Sequence, residues 1–378
     1  MTQETSPISE WLHRCIRCGN CKFIFRDYDK SCPSGHYHKF ESYFASGRIW
    51  LARGIETEEI TFDQSIVEAI FSCPTCASCE IQCQAPHRDH IVDIIEELRA
   101  KAVEAVGALP KHKGFLEKIR QHKNPYGETH HSRELAEKHS LPDEADTIYF
   151  IGCTSNYRTT SIRDATIQLL NISEIDYTII DEVCCGSPLL RTGQRSEVPN
   201  LVTHNLQKFQ EAGAKRVVTS CAGCYRTLKK DYQRYTNGLD IEILHISHLL
   251  PTLIERKKIP IKEEKSKLKI TYHDPCHLGR HMNVYDAPRR LIDTIPVDLI
   301  EMHRNRENSW CCGAGGGCRA EFTDFSLETA KARIEEASKT GADTLVSSCP
   351  FCITQLNDAN TSEMHIIDIT QLLLKFLK

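Results

Sequence analysis

Eighteen of the nineteen cysteines in this chain fall into spacings that metal clusters use. Between Cys153 and Cys352 one arrangement occurs twice: a lone cysteine, a Cys-Cys-Gly triplet and a C-x₂-C pair. The first copy is Cys153, Cys184, Cys185, Cys221 and Cys224; the second is Cys276, Cys311, Cys312, Cys349 and Cys352. Each second-copy position lies 123 to 128 residues after its counterpart, a near-constant offset that marks a duplicated domain. Thiolates converging from three loops suit a metal cluster, and two such sites suit paired redox chemistry. Neighbouring cysteines form only a strained disulfide with each other, whereas adjacent thiolates can ligate different irons or bridge two of them. Five thiols per copy also exceed the four that a structural zinc or a simple cubane takes.

The first ninety residues carry a different pattern. Cys15-Ile-Arg-Cys18-Gly-Asn-Cys21 is followed by Cys32-Pro33, and Cys73-Pro-Thr-Cys76-Ala-Ser-Cys79 by Cys83. The second run is an uninterrupted C-x₂-C-x₂-C-x₃-C. A bacterial-type ferredoxin uses this spacing to hold three corners of a 4Fe-4S cubane, sending its fourth cysteine to the neighbouring cluster. Crossed ligation gives one cubane to Cys15, Cys18, Cys21 and Cys83, and another to Cys73, Cys76, Cys79 and Cys32. Two departures from the ferredoxin pattern stand out: ten residues separate Cys21 from Cys32, and Gln-Ala-Pro86 follows Cys83 where Pro is usual. A longer loop absorbs both at little closure entropy. Structural zinc sites also use C-x₂-C pairs, but thiols at i, i+3 and i+6 suit a cubane better than a tetrahedral knuckle.

Elements must deliver these thiols. In each copy a β-rich run ends at the lone cysteine (147–153 and 268–276), and a helix-patterned segment follows. A short β-rich run (177–180 and 297–301) then leads to Cys-Cys-Gly, and a helical stretch (198–212 and 322–339) leads to another β-rich run (216–221 and 344–349) that ends at the C-x₂-C. Strands alternating with helices predict an α/β unit with a mainly parallel sheet, whose carboxyl-end loops gather the ligands. Each C-x₂-C then opens a helix, whose positive end stabilises thiolates. In the amino-terminal part, 40–53 and 90–106 have helical apolar spacing. The fold expected is a mostly helical ferredoxin-like module carrying two cubane clusters, followed by two tandem α/β Cys-Cys-Gly domains. Its boundaries are 1–110 for the helical module, 111–144 for a polar linker, and 145–255 and 266–378 for the two copies, with 250–267 as their seam.

Composition narrows the function. The 378 residues suffice for two or three domains, and 40% hydrophobic content supplies ordinary cores. With 47 Lys+Arg against 51 Asp+Glu there is no basic stripe to attract nucleic acid. Residues 1–14 lack a signal-peptide pattern and no run of about 20 apolar residues could span a bilayer. A cytoplasmic protein is therefore expected, without a transmembrane segment of its own and at most peripheral to a membrane through a partner. In a reducing compartment clustered cysteines serve as metal ligands more than as disulfides, and their odd number agrees.

Together the eight-cysteine module and the two five-cysteine motifs resemble the catalytic subunit of heterodisulfide reductase, in the form that fuses a ferredoxin-like part to two Cys-Cys-Gly domains. The resemblance runs from Cys15 to Cys352. It includes the strings His273-Asp-Pro-Cys276-His277-Leu-Gly-Arg280, Trp310-Cys-Cys-Gly-Ala-Gly-Gly-Gly317 and Ile119-Arg-Gln-His-Lys-Asn-Pro-Tyr-Gly127. It implies two cubane 4Fe-4S clusters feeding two non-cubane 4Fe-4S clusters, with a small-molecule disulfide cleaved between the latter. It also implies an anaerobic type of metabolism and an electron-donating partner, since no flavin or nicotinamide site is present. That partner is expected to be a flavoprotein or a membrane b-type cytochrome. The competing reading is an electron-transfer component of a flavoprotein- or hydroxy-acid-linked quinone reductase with no disulfide of its own. Many relatives of that kind have lost ligands in one copy, whereas all ten are present here.

Several neighbours have two readings. His273 and His277 flank Cys276 and could protonate product thiolates, although bonding to nearby backbone is the commoner role. The run Gly313 to Gly317 lacks the Gly-Lys-Ser/Thr ending of a phosphate loop and suits close backbone approach to a cluster. Cys318 has no first-copy counterpart and reads as a spare buried thiol. Arg280 and Arg226 could attract an anionic substrate, but surface or helix-capping roles are commoner for arginine.

Overall fold

In the computed structural model of the chain, the longer helices of the amino-terminal module are α1 (Ala45–Glu56), α2 (Gln64–Phe71) and α3 (Ile91–Val106). The structure describes residues 8–24, 29–129, 132–236, 238 and 240–378. The start of the expected first module (1–7), part of the Cys21–Cys32 loop (25–28) and residues 130–131 of the expected linker lie outside it. Helix α3 buries Ile91, Ile94, Ile95, Leu98 and Ala102, the stripe its spacing predicts, against Ile49, Ala52, Ile70 and Phe71. Helix α2 is capped by Asp63, whose Oδ1 accepts from the Ile66 amide at 2.9 Å. The helix expected from residue 40 starts later, because Glu41–Tyr43 forms a separate 3₁₀ turn. That turn is pinned by Ser46 Oγ donating to Glu41 at 2.7 Å, and Phe44 stays extended ahead of α1.

The expected linker carries a helix of its own, α4 (Pro110–His122), opened by Pro110 at its first turn. It buries His112 and Ile119, and its half-buried Phe115 and Leu116 pack on the same core, a short stripe set in an otherwise polar run.

Each copy folds as an all-parallel four-stranded sheet. In the first, β1 (Thr147–Tyr149), α5 (Thr160–Ser173), β2 (Tyr177–Thr178), α6 (Val198–Glu211), β3 (Arg216–Thr219), β4 (Glu242–His245) and α7 (Ile246–Glu255) follow one another. The second repeats the order as β5 (Lys269–His273), α8 (Asp286–Ile292), β6 (Asp298–Leu299), α9 (Thr323–Ser338), β7 (Thr344–Ser347), β8 (His365–Asp368) and α10 (Ile369–Leu374). The strand orders are β2-β1-β3-β4 and β6-β5-β7-β8. Registers agree as well, with Tyr149 opposite Val218 in one sheet and Tyr272 opposite Val346 in the other. Every expected strand is present, shortened at its ends, and each sheet gains a fourth strand, β4 or β8.

The copies do not stand apart. One hydrophobic cluster joins Tyr149, Val218, Ile246 and Leu250 to Tyr272, Val346, Ile369 and Leu372. Helix α5 packs on α10 and its counterpart α8 packs on α7, so each copy lends its last helix to the other. The contact is isologous, the arrangement a pseudo-twofold produces. The expected seam therefore begins inside α7, and Ile259 within it is buried.

Candidate functional site: two thiol clusters on one cavity

Cys15, Cys18, Cys21 and Cys83 line one small cavity of the amino-terminal module, with His87 beside Cys83. Cys32 sits with Cys73 and Cys76; burial pushes its thiol up to about 12, and those two sulfurs push the same way. Cys79 is driven well above the usual thiol range by burial, with Cys76, Cys73 and Cys32 adding to the effect. Cys83 thus lies with the first run and Cys32 with the second. The two loops also share a backbone: Arg17 and Thr75 (φ 55° and 51°) and then Gly19 and Ala77 (φ 86° and 61°) are left-handed at matching positions. A β-branched residue such as Thr75 occupies that region only under constraint. The same strained path in two loops suits wrapping around the same object.

Ten of the eleven remaining cysteines, all but Cys318, sit at the carboxyl ends of the parallel strands, and their sulfurs form one continuous chain. Cys153 contacts Cys184, Cys184 contacts Cys185, Cys185 contacts Cys224, and Cys224 contacts Cys221. In the second copy Cys276, Cys311, Cys312, Cys352 and Cys349 follow the same order. The copies meet where Cys221 touches Cys349. A further link runs outward: the Cys311 thiol hydrogen-bonds Cys76 and holds the Cys76 thiol below the usual range. Amides support the sulfurs in matching pairs, Gly186 to Cys184 at 3.5 Å and Gly313 to Cys311 at 3.2 Å.

So many buried thiols cannot all ionise beside one another unless cations neutralise them. Contact with Cys153 and Cys184 holds the Cys184 and Cys185 thiols, respectively, above the usual range, while contact with Cys224 and Cys311 depresses Cys221 and Cys312. Five clustered sulfurs per site are a donor set for iron. All nineteen cysteines are free thiols.

Both sites open on one cavity of about 360 Å³, lined by thiols from both copies. The expected linker closes it with Phe115, Lys118, Pro125 and Tyr126, and the second copy adds Arg319 and the 314–317 loop. Tyr126 hydrogen-bonds Thr154 at 2.9 Å, next to Cys153. Gly152 lies under the first site at φ 77°, ψ 147°, a conformation essentially restricted to glycine. A Cβ there would sit 2.8 Å from Cys224 Sγ. Gly152→Ala is therefore expected to lose metal from the first site and keep that of the amino-terminal module. Gly213→Ala, also left-handed but in open space, should cost ~1 kcal/mol and no metal.

The flanking residues sort differently from expectation. His273 is bonded through Nδ1 by Arg333 Nε at 3.1 Å rather than by backbone, and a ring nitrogen lies within 4.8 Å of the Cys312 and Cys352 sulfurs. His277 lines the cavity, facing Gly223 of the first copy, with Nε2 unpartnered. Arg280 and Arg226 are both structural ties away from the cavity. Arg280 Nε donates to Cys76 O at 2.6 Å and its Nη1 to Ser309 O at 2.5 Å. Arg226 is buried, not at the surface, in a network with Glu96, Arg191 and Asp231. Burial opposes ionisation of Glu96 there, but Arg191 and Arg226 hold it down to about 2. The glycine run does permit close approach, but to another module: a Cβ on Gly316 would collide with Cys73 O and on Gly315 with Pro74 O. Cys318 is fully buried and donates to Phe71 O at 3.6 Å, outside the chain of ten.

Arg99 has no place in the sequence-based set. Fully buried, it donates to the carbonyls of Ile70, Phe71, Cys73, Arg191 and Gly316, tying the Cys73–Cys76 loop to both copies. Its signal was a charge four residues after Ile95, on the apolar stripe of α3.

Known proteins share this architecture. A cysteine-rich domain family model matches residues 147–229 and 270–357, and a 4Fe-4S dicluster domain model matches residues 11–86. The chain is 34% identical over 387 residues to one of the subunits of the dihydromethanophenazine:CoB–CoM heterodisulfide reductase of Methanosarcina barkeri, covering 97% of this chain and 94% of that one. It is 32% identical to one of the subunits of the fumarate reductase (CoM/CoB) of Methanothermobacter marburgensis, over 82% of this chain and 62% of the relative. A crystal structure of a hypothetical protein from Helicobacter pylori shares the fold, with a TM-score of 0.56 at 10% identity over 88% of this chain and 67% of that one. Among the described residues no helix is long and apolar enough to cross a membrane. With both of its modules matched and its length spanned almost entirely, the chain belongs to the heterodisulfide reductase catalytic-subunit family of iron–sulfur oxidoreductases.

Proposed function

We propose that the chain reductively cleaves a small disulfide in the cavity between the two five-thiol sites. One observation carries the reading: Cys221 of the first copy touches Cys349 of the second beside a cavity that both copies line. In this reading Cys153, Cys184, Cys185, Cys221 and Cys224 hold one non-cubane 4Fe-4S cluster, and Cys276, Cys311, Cys312, Cys349 and Cys352 hold the other. Two cubanes occupy Cys15, Cys18, Cys21 with Cys83, and Cys73, Cys76, Cys79 with Cys32. When bound, such clusters supply electrons one at a time, and a disulfide needs two electrons and two protons to become two thiols.

The chain's own residues supply the route and the pocket. Cys18 is exposed and Ile16 beside it is 79% exposed, which suits docking of an electron-donating flavoprotein or b-type cytochrome. The Cys76–Cys311 contact then joins the inner cubane loop to the second site. Lys118 and Arg319 line the cavity and, among the described residues, no carboxylate does, so it suits a disulfide with anionic ends. Phe115, Pro125 and Phe351 cover its apolar middle. Iron analysis after anoxic purification should return about 16 iron atoms per chain; zinc in place of iron contradicts the reading. Lys118→Met with Arg319→Met should raise KM for an anionic disulfide about tenfold and flatten its salt dependence, with kcat little changed, consistent with loss of uniform binding. A kcat collapse at constant KM would move these residues out of substrate binding.

A further inference from the structure

We infer that the two five-thiol sites are unequal, and that His273, fixed by Arg333, raises the reduction potential of the second site above that of the first. The inference rests on the iron loading proposed above. The copies are in register up to this point. Tyr149 and Tyr272 occupy equivalent strand positions and bond equivalent serines, Ser220 at 3.2 Å and Ser348 at 3.0 Å. The next residue is Phe150 in the first copy and His273 in the second, both fully buried. The duplication thus sets an apolar ring against an imidazole at one matched position.

The hydrogen-bond network assigns the tautomer of that imidazole. Arginine only donates, and Arg333 Nε points at His273 Nδ1 from 3.1 Å. Nδ1 must therefore accept, and the ring proton resides on Nε2. Nε2 has no partner of its own, and a ring nitrogen of His273 lies within 4.8 Å of the Cys312 and Cys352 sulfurs. An N–H placed there can donate to sulfur but cannot ligate iron, which needs a bare nitrogen. Hydrogen bonds to cluster sulfurs favour the more negative, reduced state and raise the potential.

Arg333 is itself locked. It donates to Arg304 O at 2.8 Å, to Glu336 at 2.7 Å and to Ser309 Oγ at 3.0 Å. At the matching place in α6 stands Asn205, which is spent on the Val183 backbone and the Tyr232 hydroxyl. Other differences point the same way. Arg280, whose charge acts on Cys276 and Cys311, corresponds to Tyr157, and Ser309 corresponds to the buried carboxyl of Glu182. The cationic and donating groups are gathered around the site that Cys76 contacts, so an electron arriving from the cubanes settles there first.

The test is an anaerobic redox titration of the iron-loaded full chain, followed by electron paramagnetic resonance. The unmodified protein should give two resolved potentials for the two sites. His273→Phe should lower the more positive one by a tenfold fall in its reduction equilibrium, about 59 mV for one electron, leaving the other in place. Phe150→His should raise the more negative one, and His273→Asn, which keeps an N–H donor, should retain most of the original value. Should His273→Phe fail to fold, Phe150→His and Arg333→Met read the same difference. Coincident potentials in the unmodified protein, or unmoved potentials in variants that carry full iron, overturn the inference while the disulfide reading stands. Absence of the ten-thiol clusters would instead sink that reading.

Discussion

Cys185→Ser and Cys312→Ser should each abolish disulfide turnover while the cubane signals survive. Each residue is the middle member of its five-sulfur run: Cys185 contacts Cys184 and Cys224, and Cys312 contacts Cys311 and Cys352. Breaking a run in the middle strands two sulfurs on each side. A single remaining site can deliver one electron, which would leave a thiyl radical, so the loss should exceed the ~100-fold typical of residues that merely orient ligands. Turnover assays beside cubane spectra check this. A variant that keeps half its activity would mean that one site suffices.

Arg99→Met has the second largest effect, and it acts on assembly. The guanidinium satisfies five carbonyls drawn from α2, the Cys73 loop, the first copy and the glycine run. Charge-assisted bonds contribute ~1.5–3 kcal/mol each and buried carbonyls are costly to orphan, so a loss of about 3–5 kcal/mol is expected after partial relaxation. Because Arg99 braces the loop that brings Cys76 to Cys311, reduction of the second site through the cubanes should slow together with the fall in thermal stability. Arg99→Lys, which keeps the charge but has three donors rather than five, should fall between. Unchanged melting with unchanged reduction rate would remove Arg99 from the assembly.

The cysteine framework was legible because thiol spacing is a direct imprint of cluster geometry. Strands β1, β3, β5 and β7 were legible because each β-rich run ends on a cysteine. The fourth strands were not: 242–245 and 365–368 carry no ligand, and Glu242-Ile-Leu-His245 does not alternate. They exist because β3 and β7 offer them an edge. Helix α4 was hidden for a related reason, since its anchor is His112, whose ring bonds Gly317 O at 3.0 Å, and burial pushes that imidazole down to about 4. Its apolar contacts are only Phe115, Leu116 and Ile119, a short stripe that the surrounding Lys, His and Glu residues mask. The sharing of helices between copies, α5 with α10 and α7 with α8, is a property of the assembled sheets that no local spacing encodes. Arg226 and Arg280 were misplaced because the usual surface position of arginine is a statistic about isolated side chains, and both have buried carboxylate or carbonyl partners far away in sequence.

The claim that both sites act on one disulfide is tested most directly by adding disulfide, in steps, to the fully reduced, iron-loaded chain while thiol release and the paramagnetic signals of both sites are recorded. The expected result is one disulfide consumed per two electrons withdrawn, with both sites responding together, because both line the same cavity. A response confined to one site, or iron-loaded protein that passes electrons to an acceptor while every disulfide remains intact, would contradict it.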